Sequence, residues 1–303
     1  MSAIHNHGLE VSVGQRYEFG KNWQNFLRRL TPERIAGAEQ SLRAMLEVDD
    51  LRGTSMLDIG SGSGLFSLAA RRLGARVHSF DYDPQSVACT RLLRERYFDD
   101  DGQWIVEEGS ALDVDYLKSL GKFDLVYSWG VLHHTGAMWQ ALDSAMLPVA
   151  DGGRLFVAIY NTQPVWTAMN KLLKRSYVRS PRPLKALIAS GFIAKQVAGG
   201  VVKDLCLLRN PLARYIVGPG RGMSRWHDWF DWVGGYPYET ATVAEIFAFY
   251  HRHGYMLERL EATAGLGCNQ FVLRKVVDVW QPTKHRFTLG VQVDSAELDT
   301  AAP

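Results

Sequence analysis

The chain has 303 residues, is 47% hydrophobic and 22% charged, and carries a net charge of +2. That is enough for one large domain, or one domain with a substantial insertion, around a sizeable core. No apolar run approaches the roughly 20 residues of a spanning helix, the polar first ten residues lack a secretory core, and three scattered cysteines, Cys89, Cys206 and Cys268, fit neither a disulfide framework nor a zinc site, so a reduced, cytoplasmic setting is expected.

Residues 1–50 read as an N-terminal helical cap. They hold an aromatic cluster of Tyr17, Phe19, Trp23 and Phe26, then a helix opened by Thr31-Pro32 with Ile35, Ala38, Leu42, Met45 and Leu46 on one face. Over 51–160 strands and helices alternate. Met56–Asp58 is a strand, Leu65–Leu73 a helix stopped by Gly74, Arg76–Phe80 a strand and Pro84–Tyr97 a helix. Trp104–Val106 and Phe123–Trp129 are strands, Met138–Val149 a helix and Arg154–Tyr160 a strand. Such alternation predicts an α/β fold with a doubly wound parallel sheet.

Residues 161–230 break the pattern. Between Asn161 and Arg225 stand twelve basic residues and one acid, Asp204, so the rest of the chain is acidic. A basic, mostly helical insert on an acidic body is expected to have its own task. Over 231–280 the core resumes, with a capping box at Thr242-x-x-Glu245, a helix over Val243–His253, and closing strands over Tyr255–Ala262 and Asn269–Val276. The tail, 281–303, is polar and predicted to be loosely ordered.

The chemistry concentrates at strand ends, where open α/β sheets bind ligands. Strand one runs into Asp58-Ile59-Gly60-Ser61-Gly62-Ser63-Gly64-Leu65. A dinucleotide fingerprint, G-x-G-x-x-G, would need glycine where Leu65 stands. Strand two ends at Phe80-Asp81-Tyr82, with Asp81 21 residues beyond Gly60. A carboxylate there can accept from both hydroxyls of a ribose, while Asp83-Pro84 reads as a helix cap. Strand three leads into Gly109-Ser110-Ala111-Leu112-Asp113, and strand four into Ser128-Trp129-Gly130-Val131-Leu132-His133-His134.

This ordered set of motifs resembles class I S-adenosylmethionine methyltransferases of the quinone- and small-molecule-modifying type, over roughly 50–160 and 240–277. The resemblance implies a seven-stranded, mostly parallel Rossmann-like sheet ending in an antiparallel pair, with S-adenosylmethionine as cofactor. Gly60, Ser61, Gly62 and Gly64 would line its carboxylate end, and Asp58 would face its ammonium. Asp81 and Tyr82 would meet the ribose, and Gly109, Ser110, Ala111 and Leu112 the adenine, with Asp113 either accepting from the ring or capping a helix. Ser128, Trp129 and Gly130 would lie under the sulfonium.

Methyl transfer is an in-line displacement onto an O, N or S atom that leaves S-adenosylhomocysteine. It needs positioning, desolvation and, for a protonated nucleophile, a base. His133 and His134 are the candidate bases, with one expected to face the pocket. No metal is required. Candidate acceptor contacts are Tyr17, Phe19, Asn22 and Trp23 in the cap, and Tyr236, Glu239 and Asn269 in the loops after the insert. Trp226, His227, Trp229 and Trp232 are candidates for the same wall. The acceptor is expected to be a small molecule, anionic or lipid-linked if the cations serve it, and nucleic acid is disfavoured. Three roles stand open for the insert: a lid, a homodimerisation arm, or a peripheral membrane contact. Two competing functions are a non-catalytic cofactor-binding partner protein and a nicotinamide-dependent oxidoreductase, the latter opposed by Leu65.

Overall fold

A computed structural model of the chain describes residues 3–99, 102–210, 229, 232–265 and 267–276, with side chains from His7 onward. The strands are β1 (Ser55–Ile59), β2 (Arg76–Asp81), β3 (Trp104–Glu108), β4 (Phe123–Trp129), β5 (Val149–Tyr160), β6 (Tyr255–Glu261) and β7 (Cys268–Lys275). They form one seven-stranded sheet in the order β3-β2-β1-β4-β5-β7-β6. All neighbours are parallel except β7, which runs antiparallel between β5 and β6. Strand order reverses between β1 and β4, which opens a crevice at their carboxyl ends.

The helices are α1 (Ala3–Ser12), α2 (Phe19–Leu27), α3 (Pro32–Leu46), α4 (Leu65–Arg72), α5 (Pro84–Phe98), α6 (Val114–Ser119), α7 (Met138–Ser144), α8 (Pro164–Arg179), α9 (Arg182–Cys206) and α10 (Val243–Arg252). They cover both faces of the sheet. Alternation along β1 shows why: Met56 joins the cluster under α3, α4 and α5, while Leu57 and Ile59 join the one under α7 and α10. All three are fully buried, worth about 1.5–3 kcal/mol each relative to exposure.

Local signals act where chemistry demands. The Asp83 carboxylate caps α5 through Gln85 N–H (2.9 Å), and Thr242 and Glu245 complete a capping box on α10. Thr31 stands at the N-cap of α3 with Pro32 behind it but makes no side-chain cap bond.

Within the expected cap the polar start forms α1, with His7 buried against Tyr82 and 3.7 Å from the Asp83 carboxylate. Two elements depart from expectation. β5 begins at Val149 rather than Arg154, Val149 pairing with Phe123 ahead of a register shift, so the helix expected over Met138–Val149 ends at Ser144. Within the basic insert, expected only to be mostly helical, α9 runs through Gly191, Gly199 and Gly200 as one continuous helix of 25 residues. Trp226, His227, Leu266 and the tail over 281–303 lie outside the described residues.

Candidate active site

A cavity of about 1150 Å³ opens at the carboxyl ends of β1, β2, β4 and β5, roofed by the segment around α1 and α2. The glycine turn forms its floor. Gly60, Gly62 and Gly64 have φ of 79°, 55° and 78°, which side-chain-bearing residues rarely adopt. A Cβ on Gly60 would stand 2.4 Å from Val131 Cγ1, and one on Gly62 would stand 3.0 Å from the Trp23 indole nitrogen. Gly60, Ser61, Gly62 and Ser63 line the cavity. Gly64 does not: it packs α4 onto Thr90 of α5, with no room for a Cβ.

Two buried carboxyls flank the turn. Asp58 sits at the end of a hydrogen-bonded chain: the Trp104 indole donates to Ser79 Oγ (2.8 Å), Ser79 and Ser67 hydroxyls pair (2.8 Å), and Ser67 Oγ donates to Asp58 Oδ2. Burial pushes the Asp58 carboxyl up to about 7, against the Ser67 hydroxyl and with the Asp81 charge. Asp81 Oδ2 accepts from Gly62 N–H (2.8 Å) and Oδ1 from Asp83 N–H (2.9 Å). Burial raises it to about 6 despite those donors.

Tyr82 lines the same wall and donates to Glu10 Oε1 (3.2 Å). Arg16 crosses the end of the cavity. It pairs with Glu10 (2.5 Å), donates to the carbonyls of His134 (2.9 Å) and Thr135 (3.4 Å), and lies 5.0 Å from the Tyr82 ring centre. Gly109, Ser110, Ala111 and Leu112 line the cavity beyond β3, as does Asp113. Asp113 Oδ1 caps α6 by accepting from Tyr116 N–H (3.0 Å), which was one of its two expected roles.

At the end of β4, Trp129 and Gly130 reach the cavity. Ser128 does not; its hydroxyl is fully buried and donates to the Ile59 carbonyl (3.0 Å), tying β4 to β1. The histidines divide. His134 lines the cavity, and its Nδ1–H donates to the Pro237 carbonyl (2.6 Å), which leaves the lone pair on Nε2. Burial, aided by the Lys174 charge, pushes His134 down to about 3, so the ring is neutral. His133 stands behind it, fully buried, accepting weakly from Tyr160 N–H (3.4 Å) at Nδ1, with Nε2 buried and without a hydrogen bond. Burial also holds His133 well below the ordinary histidine value.

Of the expected acceptor contacts, Phe19 and Trp23 line the cavity. Tyr17 instead packs under the cap, against Phe19, Tyr177 and Gly234, and Asn22 is not among the lining residues. Tyr236 and Glu239 line a separate, smaller cavity of about 330 Å³. Glu239 Oε2 accepts from Met138 N–H (2.9 Å) at the start of α7. Asn269 is buried and structural: it accepts from Thr263 N–H (2.9 Å) and donates to Asn161 Oδ1 (3.1 Å), closing the β6–β7 connection. Trp232 joins the cavity wall.

Sequence reasoning missed His7, Glu10, Tyr160 and Lys174. Tyr160 was findable, since it ends β5 beside the other ligand-facing strand ends. Lys174 was not. It lies in the basic insert, yet it is fully buried, donates to the Trp232 carbonyl, and stands 4.3, 4.8 and 5.7 Å from the ring centres of Trp232, Tyr238 and Tyr160. Among the described residues there is no cluster of His, Cys, Asp or Glu that could hold a metal.

Residues 57–155 match the family model described as a methyltransferase domain. A ubiquinone biosynthesis O-methyltransferase of Xanthomonas oryzae pv. oryzae is 31% identical over 129 residues, 40% of this chain and 48% of that protein. The ribosomal protein L11 methyltransferase of Methylococcus capsulatus is 52% identical over 46 residues, 15% of this chain and 16% of that protein. The chain thus spans about half the length, or less, of the curated relatives it matches. An O-methyltransferase family protein from Burkholderia thailandensis shares the fold, with a TM-score of 0.51 at 12% identity over 81% of this chain and 58% of that one. The match to a methyltransferase domain runs from β1 into β5 and includes the glycine turn, and the seven-stranded sheet order extends that likeness to the fold.

Proposed function

We propose that the protein methylates an O, N or S atom of a small-molecule acceptor, with S-adenosylmethionine as donor and S-adenosylhomocysteine as product. The observation that carries this reading is the charge of the cavity. Its lining presents the carboxyl groups of Asp58, Asp81, Asp83, Asp113, Asp115 and Glu10 against one guanidinium, Arg16. That field attracts a cationic ligand and repels the diphosphate of a dinucleotide. The residues fit the cofactor: the turn supplies a floor that a Cβ would fill, Asp58 a carboxyl for an ammonium, and Asp81 two oxygens for a ribose.

When bound, the cofactor supplies a methyl group on a positively charged sulfur that is already a good leaving group. The chain supplies the surroundings. Trp23 and Phe19 cover the turn and exclude water. Phe19, His134, Tyr160 and Trp232 offer flat faces to the acceptor. His134, rather than His133, receives a hydrogen bond from the acceptor at Nε2. A ring held at about 3 is a weak base, so it orients the nucleophile more than it deprotonates it. An oxygen acceptor is favoured by the likeness to O-methyltransferases. The test is release of S-adenosylhomocysteine from S-adenosylmethionine and fractions of a cell extract, with mass analysis of the methylated product. Cofactor binding without release from any fraction would overturn the catalytic reading.

A further inference from the structure

The methyltransferase reading uses the inner side of the insert and leaves its outer side without a task. The inner side is built into the cavity: Phe192 of α9 stacks on Trp232 (4.6 Å, 8° between planes), and Lys174 of α8 lies beneath the same indole. The outer side is apolar and open. On α9, Leu184, Leu187, Val202 and Leu205 are all exposed, and their spacing returns them to one stripe of the helix. On α8, Val165 and Met169 form a second stripe, 69% and 55% exposed. Trp166 joins the two stripes, since Lys195 of α9 lies 5.3 Å from its ring centre. Against the expectation from the sequence that no run is long and apolar enough to span, α9 is, among the described helices, the one that reaches that length and hydropathy. It packs Ala189 and Phe192 on protein and carries Lys195 at mid-length, which fits a helix lying on a surface rather than spanning.

We propose that α8 and α9 dock this face on the surface of an anionic lipid bilayer, which presents apolar-tailed acceptors to the cavity behind it. Charge selects the occupant. Arg175, Lys195 and Lys203 are exposed on these helices, their single acid, Asp204, is buried, and Lys171 opens instead on the smaller cavity beside Glu239. Two copies pairing through this face would bring two strongly basic surfaces together, whereas an anionic bilayer neutralises them. The apolar stripes then enter the boundary between headgroups and chains while the lysines reach the phosphates. The acceptor-class clause rests on the proposed function; the docking itself does not.

The experiment is co-sedimentation of the full chain with vesicles of phosphatidylcholine alone and of phosphatidylcholine mixed with phosphatidylglycerol, beside analytical ultracentrifugation without lipid. The chain is expected to sediment with the phosphatidylglycerol vesicles and to be released by salt. Lys195→Ala with Lys203→Ala lowers partitioning roughly 25-fold, about fivefold per cation. Leu187→Glu with Leu205→Glu abolishes it, and both variants keep cofactor affinity, which separates loss of docking from loss of fold. No sedimentation with phosphatidylglycerol vesicles overturns the proposal. So does a concentration-dependent dimer that Leu187→Glu with Leu205→Glu dissociates, which would give the face to a second copy. Docking without methyl transfer to any acceptor would leave the surface assigned and the catalytic reading refuted.

Discussion

Replacing Asp58 by asparagine tests the cationic end of the cavity. In the free protein burial holds this carboxyl at about 7, so it gains its charge across the neutral range. Its folded value lies above its unfolded one. Its contribution to stability is therefore present below about pH 4 and is lost as pH rises through about 7. An ammonium placed beside it favours the charged form, so binding expels a proton wherever the carboxyl is still protonated. About nine tenths of Asp58 is ionised at pH 8 and about one tenth at pH 6, so cofactor affinity should fall up to tenfold across that window. Asp81, raised to about 6, adds at most about a further factor of two at the acid end. Calorimetry with S-adenosylhomocysteine, in buffers of different ionisation enthalpy, reads both affinity and protons released. The Asp58→Asn protein should bind more weakly at about pH 8 and show no corresponding slope, and the ratio of the two proteins cancels the ligand's own titration. Flat wild-type affinity, or an equal slope in Asp58→Asn, would refute the pairing.

Asp81→Ala should weaken cofactor binding by about 100-fold or more, the cost of two hydrogen bonds to a charged group, with the far-ultraviolet spectrum unchanged. Gly60→Ala forces a side chain into the left-handed region and against Val131, so urea unfolding should show a loss of roughly 2–4 kcal/mol together with loss of binding. His134→Ala should lower kcat about 100-fold with cofactor affinity intact, and the wild-type kcat profile should lack an acid limb at the ordinary histidine value; a limb near 6.5 that vanishes in His134→Ala would show that the ring titrates normally in the complex. Asp83→Ala removes both the α5 cap and the acceptor of Gly20 N–H (2.7 Å), so limited proteolysis should cut the segment before α3 faster than in wild type; equal rates would mean the roof is held elsewhere.

The parts of the site that lay within one local pattern were readable before the fold was known. A strand ending in glycines, or in a carboxylate, states its position and its chemistry within a few residues, so Gly60, Gly62, Asp58, Asp81 and the Gly109–Leu112 segment all reach one cavity. Residues whose meaning depends on a distant partner were opaque. Asn269 and Glu239 offered polar groups in loops, and only the fold shows those groups spent on Asn161, Thr263 and the start of α7. The order of His133 and His134 could not be read from adjacency, because in a turn of 3₁₀ helix the two rings pack 4.4 Å apart, His134 on the cavity and His133 behind it. Lys174 was hidden among solvated cations of the same segment, and nothing in its neighbours marks it as the buried one.

That buried lysine has a consequence for the modular view of such chains. An insertion after β5 resembles an appendage that could be trimmed or exchanged. Here its first helix carries a cation into a nest of rings from β5 and from the segment before α10, and its second helix backs one of those rings. A chimera that grafts the acceptor loops of another protein while keeping α8 would strand an ammonium among the wrong partners, and one that deletes α8 would leave Trp232, Tyr238 and Tyr160 without their common support. On the proposed function, acceptor preference therefore rests on insertion and loops together.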